Sequence, residues 1–428
     1  MSGNTISVVG LGYIGLPTAA VFASRKKRVI GVDINRSIVD CVNKGDIHIV
    51  EPDLDVLVKS AVKDGFLRCT TSPEQADVFL IAVPTPFIPS KSENSHPVPD
   101  LTFIESAARA IAKVLKKGDL VILESTSPVG TTQKIAVWLE EDRGDLTFPQ
   151  THGDMSDIRI AYCPERVLPG NVLRELIEND RVIGGMTDNC SKAAIDVYKI
   201  FVKGNFSVTN AKTAEMSKLT ENSFRDTNIA FANELSMICD KIDIDVWELI
   251  RLANLHPRVN ILQPGPGVGG HCIAVDPWFI VNSAPEDSEL IIQARKTNIK
   301  KTDWVLNKIT LILDEHLRNR SSKRSKEVNI ACYGITFKPD IDDMRESPAK
   351  SIISRLRDMV DSEILLVEPN VSYLPEGFHG VRLVSLIEAS QCDIHVMLVD
   401  HKEFKLLKRP IGDVIDICGV WTSNGVDF

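Results

Sequence analysis

Within its first two dozen residues the chain passes from an apolar strand candidate, Thr5–Val9, through Gly10-Leu-Gly12-Tyr-Ile-Gly15 into a helical stretch that reaches Ser24. A strand that becomes a helix through three closely spaced glycines leaves little choice of fold. The glycines let the backbone turn tightly and approach a ligand, and the helix start offers N–H donors and a partial positive charge. Arg28–Val32 reads as a second strand and ends at Asp33. A carboxylate there accepts ribose hydroxyls and repels a 2′-phosphate, which favours NAD over NADP; nearby Arg36 pulls the other way. Gly10, Gly12, Tyr13, Ile14, Gly15, Asp33 and Arg36 are therefore the candidate cofactor residues. Alone, the glycine pattern is weak, and a tight turn without nucleotide is its plain alternative. Here strand, turn, helix and acidic residue all follow in order.

Further strand candidates are Val78–Val83, Leu120–Leu123, Ile160–Cys163 and Val182–Gly185, separated by amphipathic stretches. Such alternation indicates a parallel sheet covered on both faces. Ligands bind beyond the carboxyl ends of such strands. Thr85 and Thr126 stand there, either beside the nicotinamide half or as caps of turns and helices. From about Lys212 helical periodicity takes over, over Thr213–Ile242 and Ser288–His316. A basic, serine-containing stretch, Arg318–Lys326, reads as a linker. Strands return at Val328–Tyr333, Ile364–Val367, Ile394–Val399 and Val414–Ile417. The expected fold class is α/β: two Rossmann-like, doubly wound domains, 1–211 and 318–428, joined by a central helical region, 212–317. Phe87–Pro99 is polar and proline-punctuated and reads as an exposed loop.

Composition narrows the class. The 428 residues are 43% hydrophobic and 25% charged, with net charge −9. That is an ordinary globular balance, and the acidity argues against a nucleic-acid binder. No apolar run approaches the ~18 residues of a membrane span. The opening MSGNTISVVG shows no secretory leader. Nine dispersed cysteines without a C-x-x-C pair point to reduced thiols in a cytoplasmic protein. No Walker loop, H-E-x-x-H or clustered Cys/His pattern is present, so neither metal nor nucleotide hydrolysis is expected.

One cysteine differs from the rest. Cys272 ends Gln263-Pro-Gly-Pro-Gly-Val-Gly-Gly-His-Cys272, an irregular loop whose glycines allow close approach to a ligand. A thiolate there is a nucleophile able to add to an aldehyde. Asp276 follows four residues later. His271 is either a base, a structural residue or a phosphate contact. For the other eight cysteines the reading is small buried apolar residues. On Thr213–Ile242, Lys218, Asn222 and Arg225 share one face among apolar neighbours. They form either a site or a solvated row; a buried lysine suits acid/base work or oxyanion stabilisation. Glu165, just after a strand in Tyr162-Cys-Pro-Glu-Arg-Val-Leu-Pro-Gly170, either activates water, stands on the surface or joins a salt bridge. Lys338 and Arg345, in Phe337-Lys-Pro-Asp340 and Arg345-Glu-Ser-Pro348, either meet phosphates or pair locally.

The motifs GLGYIGLP, VPTP, ESTSPVG, PERVLPG, KLTENSFRD, GPGVGGHCIAVDP and FKPDIDDMRESP, in this order, resemble the UDP-glucose/UDP-N-acetylmannosamine dehydrogenase family over nearly the whole chain. Within it the resemblance is strongest to the bacterial branch acting on UDP-N-acetyl-D-mannosamine; His271 departs from the GGSC form of the UDP-glucose branch. The resemblance implies NAD and a UDP-sugar, oxidised at C6 from CH2OH to carboxylate in two hydride transfers. It makes Cys272 the nucleophile, carrying a thiohemiacetal and then a thioester. Lys218 and Asn222 would stabilise the oxyanion, Asp276 would act on water as acid/base, Glu165 would serve thioester hydrolysis, and Thr126 would position water or cofactor. Glu165, Arg166, Val167, Leu168, Lys218, Asn222, Arg225, Gly269, His271 and Lys338 would line the substrate. Arg345 would sit near the NAD site or the domain interface. Arg258 would reach the substrate of the partner subunit, which implies a homodimer. Enterobacterial common antigen synthesis is the implied setting. Rival readings are the same chemistry on UDP-glucose, UDP-N-acetylglucosamine or UDP-N-acetylgalactosamine, a single-step hydroxyacid dehydrogenase, and a non-catalytic NAD-binding protein.

Overall fold

The computed structural model describes residues 5–88, 96–168, 170–270, 272–319, 328–375 and 377–421. The chain forms two compact units. One comprises residues 1–221 with Trp278–Pro285, the other Asn222–Pro277 with Glu286–Phe428.

The first unit is built on an eight-stranded sheet. Its strands are β1 (Thr5–Val9), β2 (Arg28–Val32), β3 (Leu67–Thr70), β4 (Val78–Ile81), β7 (Leu120–Leu123), β8 (Arg159–Tyr162), β9 (Arg181–Gly185) and β10 (Phe206–Asn210). Between β4 and β7, β5 (Phe87–Ile88) and β6 (Val98–Pro99) form a separate antiparallel pair. The sheet order is β10-β9-β8-β7-β4-β1-β2-β3. Strands β1, β4 and β7 are almost wholly buried, as expected where helices cover both faces. Helix α1 (Gly15–Ser24) follows β1 and has nine of its ten residues buried.

The strand pattern suggested parallel pairing throughout, but β9 runs antiparallel to β8, and β10 pairs parallel to β9. Alternating apolar runs report burial, not direction, so this reversal leaves no periodic trace. Phe87–Pro99 also departs from a plain loop. Its described ends pair, Phe87 meets the Phe279 ring edge-on at 5.9 Å, and His96 stacks on Trp278 at 5.3 Å.

The second unit carries the all-parallel sheet β13-β12-β11-β14-β15. Its strands are β11 (Asn329–Tyr333), β12 (Glu363–Val367), β13 (Val381–Leu383), β14 (Ile394–Met397) and β15 (Asp413–Asp416). Three helices matter for the site. They are α2 (Ala211–Lys241), which starts in the first unit, α3 (Asp276–Ser283) and α4 (Glu289–Asn319). The linker reading of Arg318–Lys326 is corrected at its start, because α4 runs to Asn319; residues 320–327 lie outside the described ones. Val305, Leu306, Ile309 and Leu313 of α4 are buried in the core of the second sheet.

Where α2 meets α4 the seam is polar. Arg295 donates to Asp226 at 2.6 Å, Asn298 donates to Asp226 at 2.7 Å, and Asn233 donates to Asn298 at 2.9 Å. Lys301 donates to Ser236 at 2.7 Å and lies 3.8 Å from the Trp304 ring centre. Burial pulls its amine down to about 7. The apolar residues of α2 lie partly outside: Phe224 is 69% exposed, Phe231 51% and Ile238 48%. Asp226→Ala would strand the buried Arg295 cation. We expect a loss of about 3–5 kcal/mol, read from urea unfolding; a change under ~1 kcal/mol would show that the seam is not held by this pair.

Candidate active site

The glycine turn forms a cradle at the carboxyl end of β1. Gly10 has φ +94°, and a Cβ there would meet the Ala82 carbonyl oxygen at 2.6 Å. At Gly15 a Cβ would collide with the Gly10 carbonyl oxygen. These two glycines are required by packing. Gly12 differs, since a Cβ there meets nothing within 4 Å. It faces open space at the start of α1, which has no side-chain cap. Asp33 is locked beside this turn: Oδ2 accepts the Leu11 N–H at 3.0 Å and Oδ1 the Asn35 N–H at 2.9 Å. Arg36 is turned to Asp40 at 3.0 Å and is 76% exposed, so its cation is engaged along its own helix. Tyr13 is exposed and Ile14 half-buried. Open backbone, helix start and oriented carboxylate fit a dinucleotide with a free 2′-hydroxyl.

Thr85 and Thr126 meet across the ends of β4 and β7. The Thr85 hydroxyl donates to the Thr126 carbonyl at 2.9 Å. The loop after Thr126 is fixed from α2. Buried Glu215 accepts the Gly130 N–H at 2.5 Å and the Thr132 N–H at 2.7 Å. Lys218, half-buried, follows one turn later on the same helix.

Glu165 is 6% exposed and is ion-paired with buried Arg181 through Oε2, while Oε1 accepts the Arg166 N–H at 2.8 Å. Glu165 is thus a salt-bridge partner and not a surface residue. Beneath it lies a second carboxyl, Glu124, to which the Tyr198 hydroxyl donates at 2.6 Å. The Arg181 guanidinium sits 5.1 Å from the Tyr198 ring centre. Burial, and after it the Glu165 charge, push the Glu124 carboxyl up to about 7. Arg166 pairs with Glu221 at 3.1 Å, Val167 is half-buried, and exposed Leu168 donates its N–H to Glu175 at 2.8 Å.

In the second unit the glycine loop is pressed against the segments that follow β11. A Cβ at Gly269 would strike the Glu346 carbonyl oxygen and meet Pro348 at 2.7 Å. One at Gly270 (φ +82°) would meet the Phe337 ring at 2.8 Å. Cys272 leaves this clamp exposed. Six of the other cysteines are buried, and Cys41 and Cys418 are half-buried. Burial pushes the Cys163 and Cys332 thiols up to about 12. The Cys272 carbonyl accepts the Asp276 N–H at 2.8 Å as the chain enters α3. The buried Asn222 amide donates to Asp276 Oδ2 at 2.5 Å. Thiol, carboxylate and amide donor thus share one junction.

Other expected residues stand apart from that junction. Arg225 is exposed, three residues beyond Asn222. Arg258 is exposed on a loop that Asn228 and Asn254 pin through Asn260, Ile261 and Leu262. Lys338 is exposed. Arg345 pairs with Asp343 at 2.5 Å, two residues away. His271 lies outside the described residues.

Three family profiles cover the chain. They are the NAD binding domain (residues 4–202), the central domain (212–300) and the UDP binding domain (331–421) of the UDP-glucose/GDP-mannose dehydrogenase family. The chain belongs to this family. It is an NAD-dependent dehydrogenase of nucleotide sugars. It is 60% identical to UDP-N-acetyl-D-mannosamine dehydrogenase of Escherichia coli K12, covering 98% of this chain and 100% of that protein. It is 58% identical to an NDP-N-acetyl-D-galactosaminuronic acid dehydrogenase of Ralstonia nicotianae, covering 99% and 97%. A solved UDP-D-ManNAc dehydrogenase from Pyrococcus horikoshii superposes with TM-score 0.84 at 37% identity, covering 99% and 97%.

The dehydrogenase holds groups that the sequence reading passed over. Glu124 lay in ESTSPVG and was read as a strand end; a carboxyl closing an apolar strand was the available signal. Arg181, Tyr198, Asp226 and Arg295 had no local signal, because their partners are distant in sequence. Among the described residues no helix is long and apolar enough to cross a membrane.

Two outcomes follow for this dehydrogenase. Gly12→Val should fold normally, yet weaken NADH binding at least about tenfold, since it fills the space left for the ligand; a fluorescence titration reads this. The Glu124 carboxyl, raised in the fold, keeps a proton that the unfolded chain has released above about pH 4.5. Its burial therefore costs stability progressively as pH rises from about 4.5 through 7, by up to ~3 kcal/mol. Glu124→Gln should flatten the fall in Tm between pH 5 and 8; an unchanged slope would remove Glu124 from the account.

Proposed function

We propose that this dehydrogenase oxidises C6 of UDP-N-acetyl-D-mannosamine to the carboxylate, giving UDP-N-acetyl-D-mannosaminuronate at the expense of two NAD per sugar. The observation that carries the reading is Cys272: an exposed thiol beside the Asn222–Asp276 pair, on a loop shaped by close backbone packing. The mannosamine assignment is supported by the 60% identity to the Escherichia coli enzyme. The 58% match to the Ralstonia protein favours the N-acetyl-D-galactosamine sugar nucleotide as the second reading.

NAD, when bound, would accept one hydride, and a second NAD would replace the NADH to accept the other. Gly10, Gly12, Gly15 and Asp33 hold its adenosine half, with Tyr13, Ile14, Thr85 and Thr126 alongside. Oxidation of the alcohol leaves an aldehyde, to which Cys272 Sγ adds to form a thiohemiacetal. One Asn222 amide hydrogen is engaged by Asp276, which orients the second toward the developing oxyanion, with Lys218 as the other donor. Removing such a donor costs about 3–4 kcal/mol of barrier. Loss of a second hydride leaves a thioester. Asp276 takes the proton of the attacking water, and Glu165, held beside Arg181, assists this hydrolysis. Lys338 takes the diphosphate, with Arg166, Val167, Leu168, Arg225, Gly269 and His271 around the sugar nucleotide and Arg345 toward the cofactor. The segments 1–211, 212–317 and 318–428 serve as NAD-binding, central and UDP-binding parts.

The working unit in this reading is a homodimer. Phe224, Phe231 and Ile238 recur every seven residues on α2 and are exposed in the single chain, an apolar row suited to a second copy. Exposed Arg258 would then reach the partner's substrate. All nine cysteines are free, in keeping with the cytoplasm.

Counting NADH per sugar across a panel of UDP-hexoses tests both substrate and stoichiometry. Two NADH with UDP-N-acetyl-D-mannosamine is the expected result; a preference for UDP-N-acetyl-D-galactosamine would reassign the sugar. Cys272→Ser should stall the second oxidation or trap an intermediate while NAD binding persists. Full double turnover by that variant would eliminate the covalent route.

A further inference from the structure

Beyond the carboxyl ends of β11, β12 and β14 lies a buried polar cluster that the chemistry above does not use. Strand β11 pairs with both neighbours, so this is the crevice of the second sheet. His401, 0% exposed, and Glu368, 6% exposed, are its centre. His401 Nδ1 receives the Asp340 backbone N–H at 2.9 Å and the Asn370 side-chain amide at 3.0 Å. A backbone amide can only donate, so Nδ1 carries no proton. The ring hydrogen therefore sits on Nε2, which faces Glu368 Oε2 at 3.1 Å. Burial alone would raise the Glu368 carboxyl. The bonds from His401 and from the Asn370 and Ile335 amides instead hold it below the ordinary range.

The atoms gripped by this cluster belong to the turn that bears Lys338. Asp340 adopts φ +61°, a left-handed conformation disfavoured for a non-glycine residue. Its carboxylate accepts the Lys402 N–H at 2.9 Å, and the Lys338 carbonyl accepts the Thr336 hydroxyl at 2.9 Å. The turn is thus held on both sides of an exposed lysine. Strain of this kind persists only where the surroundings over-determine it.

We propose that His401, oriented by Glu368, is a positioning residue that fixes the Phe337–Asp340 turn so that Lys338 meets the diphosphate of the UDP-sugar. This rests on the reading of Lys338 as a diphosphate contact. His401 itself touches neither substrate nor cofactor. It acts by supplying the acceptor that pins the Asp340 backbone amide, and with it the strained turn. The site is made before the nucleotide arrives, so the turn need not be ordered on binding.

The test uses the full chain, with UDP as probe and titration calorimetry as readout. His401→Ala should weaken UDP binding about tenfold and leave NADH affinity within about twofold. His401→Asn, whose Oδ1 can take the place of Nδ1, should recover most of the loss. A double variant, Lys338→Ala with His401→Ala, should bind UDP no worse than Lys338→Ala alone. Equal losses for UDP and NADH, no recovery in His401→Asn, or additive losses in the double variant overturn the positioning role. Lys338→Ala by itself tests the underlying reading: unchanged UDP affinity there removes Lys338 from the binding site, independently of His401. Should His401→Ala fail to fold, Glu368→Gln carries the comparison; wild-type UDP affinity in that variant refutes the proposal.

Discussion

The loop that leads to Cys272 has no room for a side chain at Gly269 or Gly270. Gly269 and Gly270 lie against the Glu346 carbonyl, Pro348 and the Phe337 ring, and any Cβ there would collide. This contact decides where the thiol stands. A larger residue would push the loop off the segments following β11, and Cys272 with it. The same contact ties two stretches that the sequence separates by nearly seventy residues into one support. The second sheet therefore shapes the chemistry although its strands contribute no reactive group.

The long helix α2 divides its labour in an unusual way. Its buried face toward α4 is polar, through Asp226, Asn233 and Ser236, while phenylalanines occupy exposed positions. Buried polar groups of this kind specify register, because only one alignment satisfies them all. Asn222 sits at the head of that seam and inherits its alignment. Its amide is therefore delivered to Asp276 from a helix whose alignment is already specified.

Much of this was legible in the sequence, for local reasons. The β1–α1 turn and Asp33 were readable because steric and electrostatic demands fall within one βαβ unit. Cys272 stood out because the residues that expose it are its own neighbours. The polar row on α2 was only half legible: Asn222 is buried at Asp276, whereas Arg225 is exposed. Helical spacing names a face but not what covers it. The reversal at β9 was invisible, since a buried strand has the same apolar run in either direction. Glu124, Arg181 and Tyr198 were missed because each gains its meaning from partners brought in by folding. The pairing of Glu165 with Arg181 is the instructive case: sequence offered a base, a surface residue or an ion pair, and only the fold shows which group lies beside it.

Glu215 reaches across from α2 to take the amides of Gly130 and Thr132, and Lys218 lies three residues further along that helix. The carboxylate thus works as a rivet between the stretch downstream of Thr126 and the helical turn bearing the amine. Neither can shift without dragging the other. A displacement of the Gly130–Thr132 backbone is thereby tied to a helical turn more than eighty residues away in the chain.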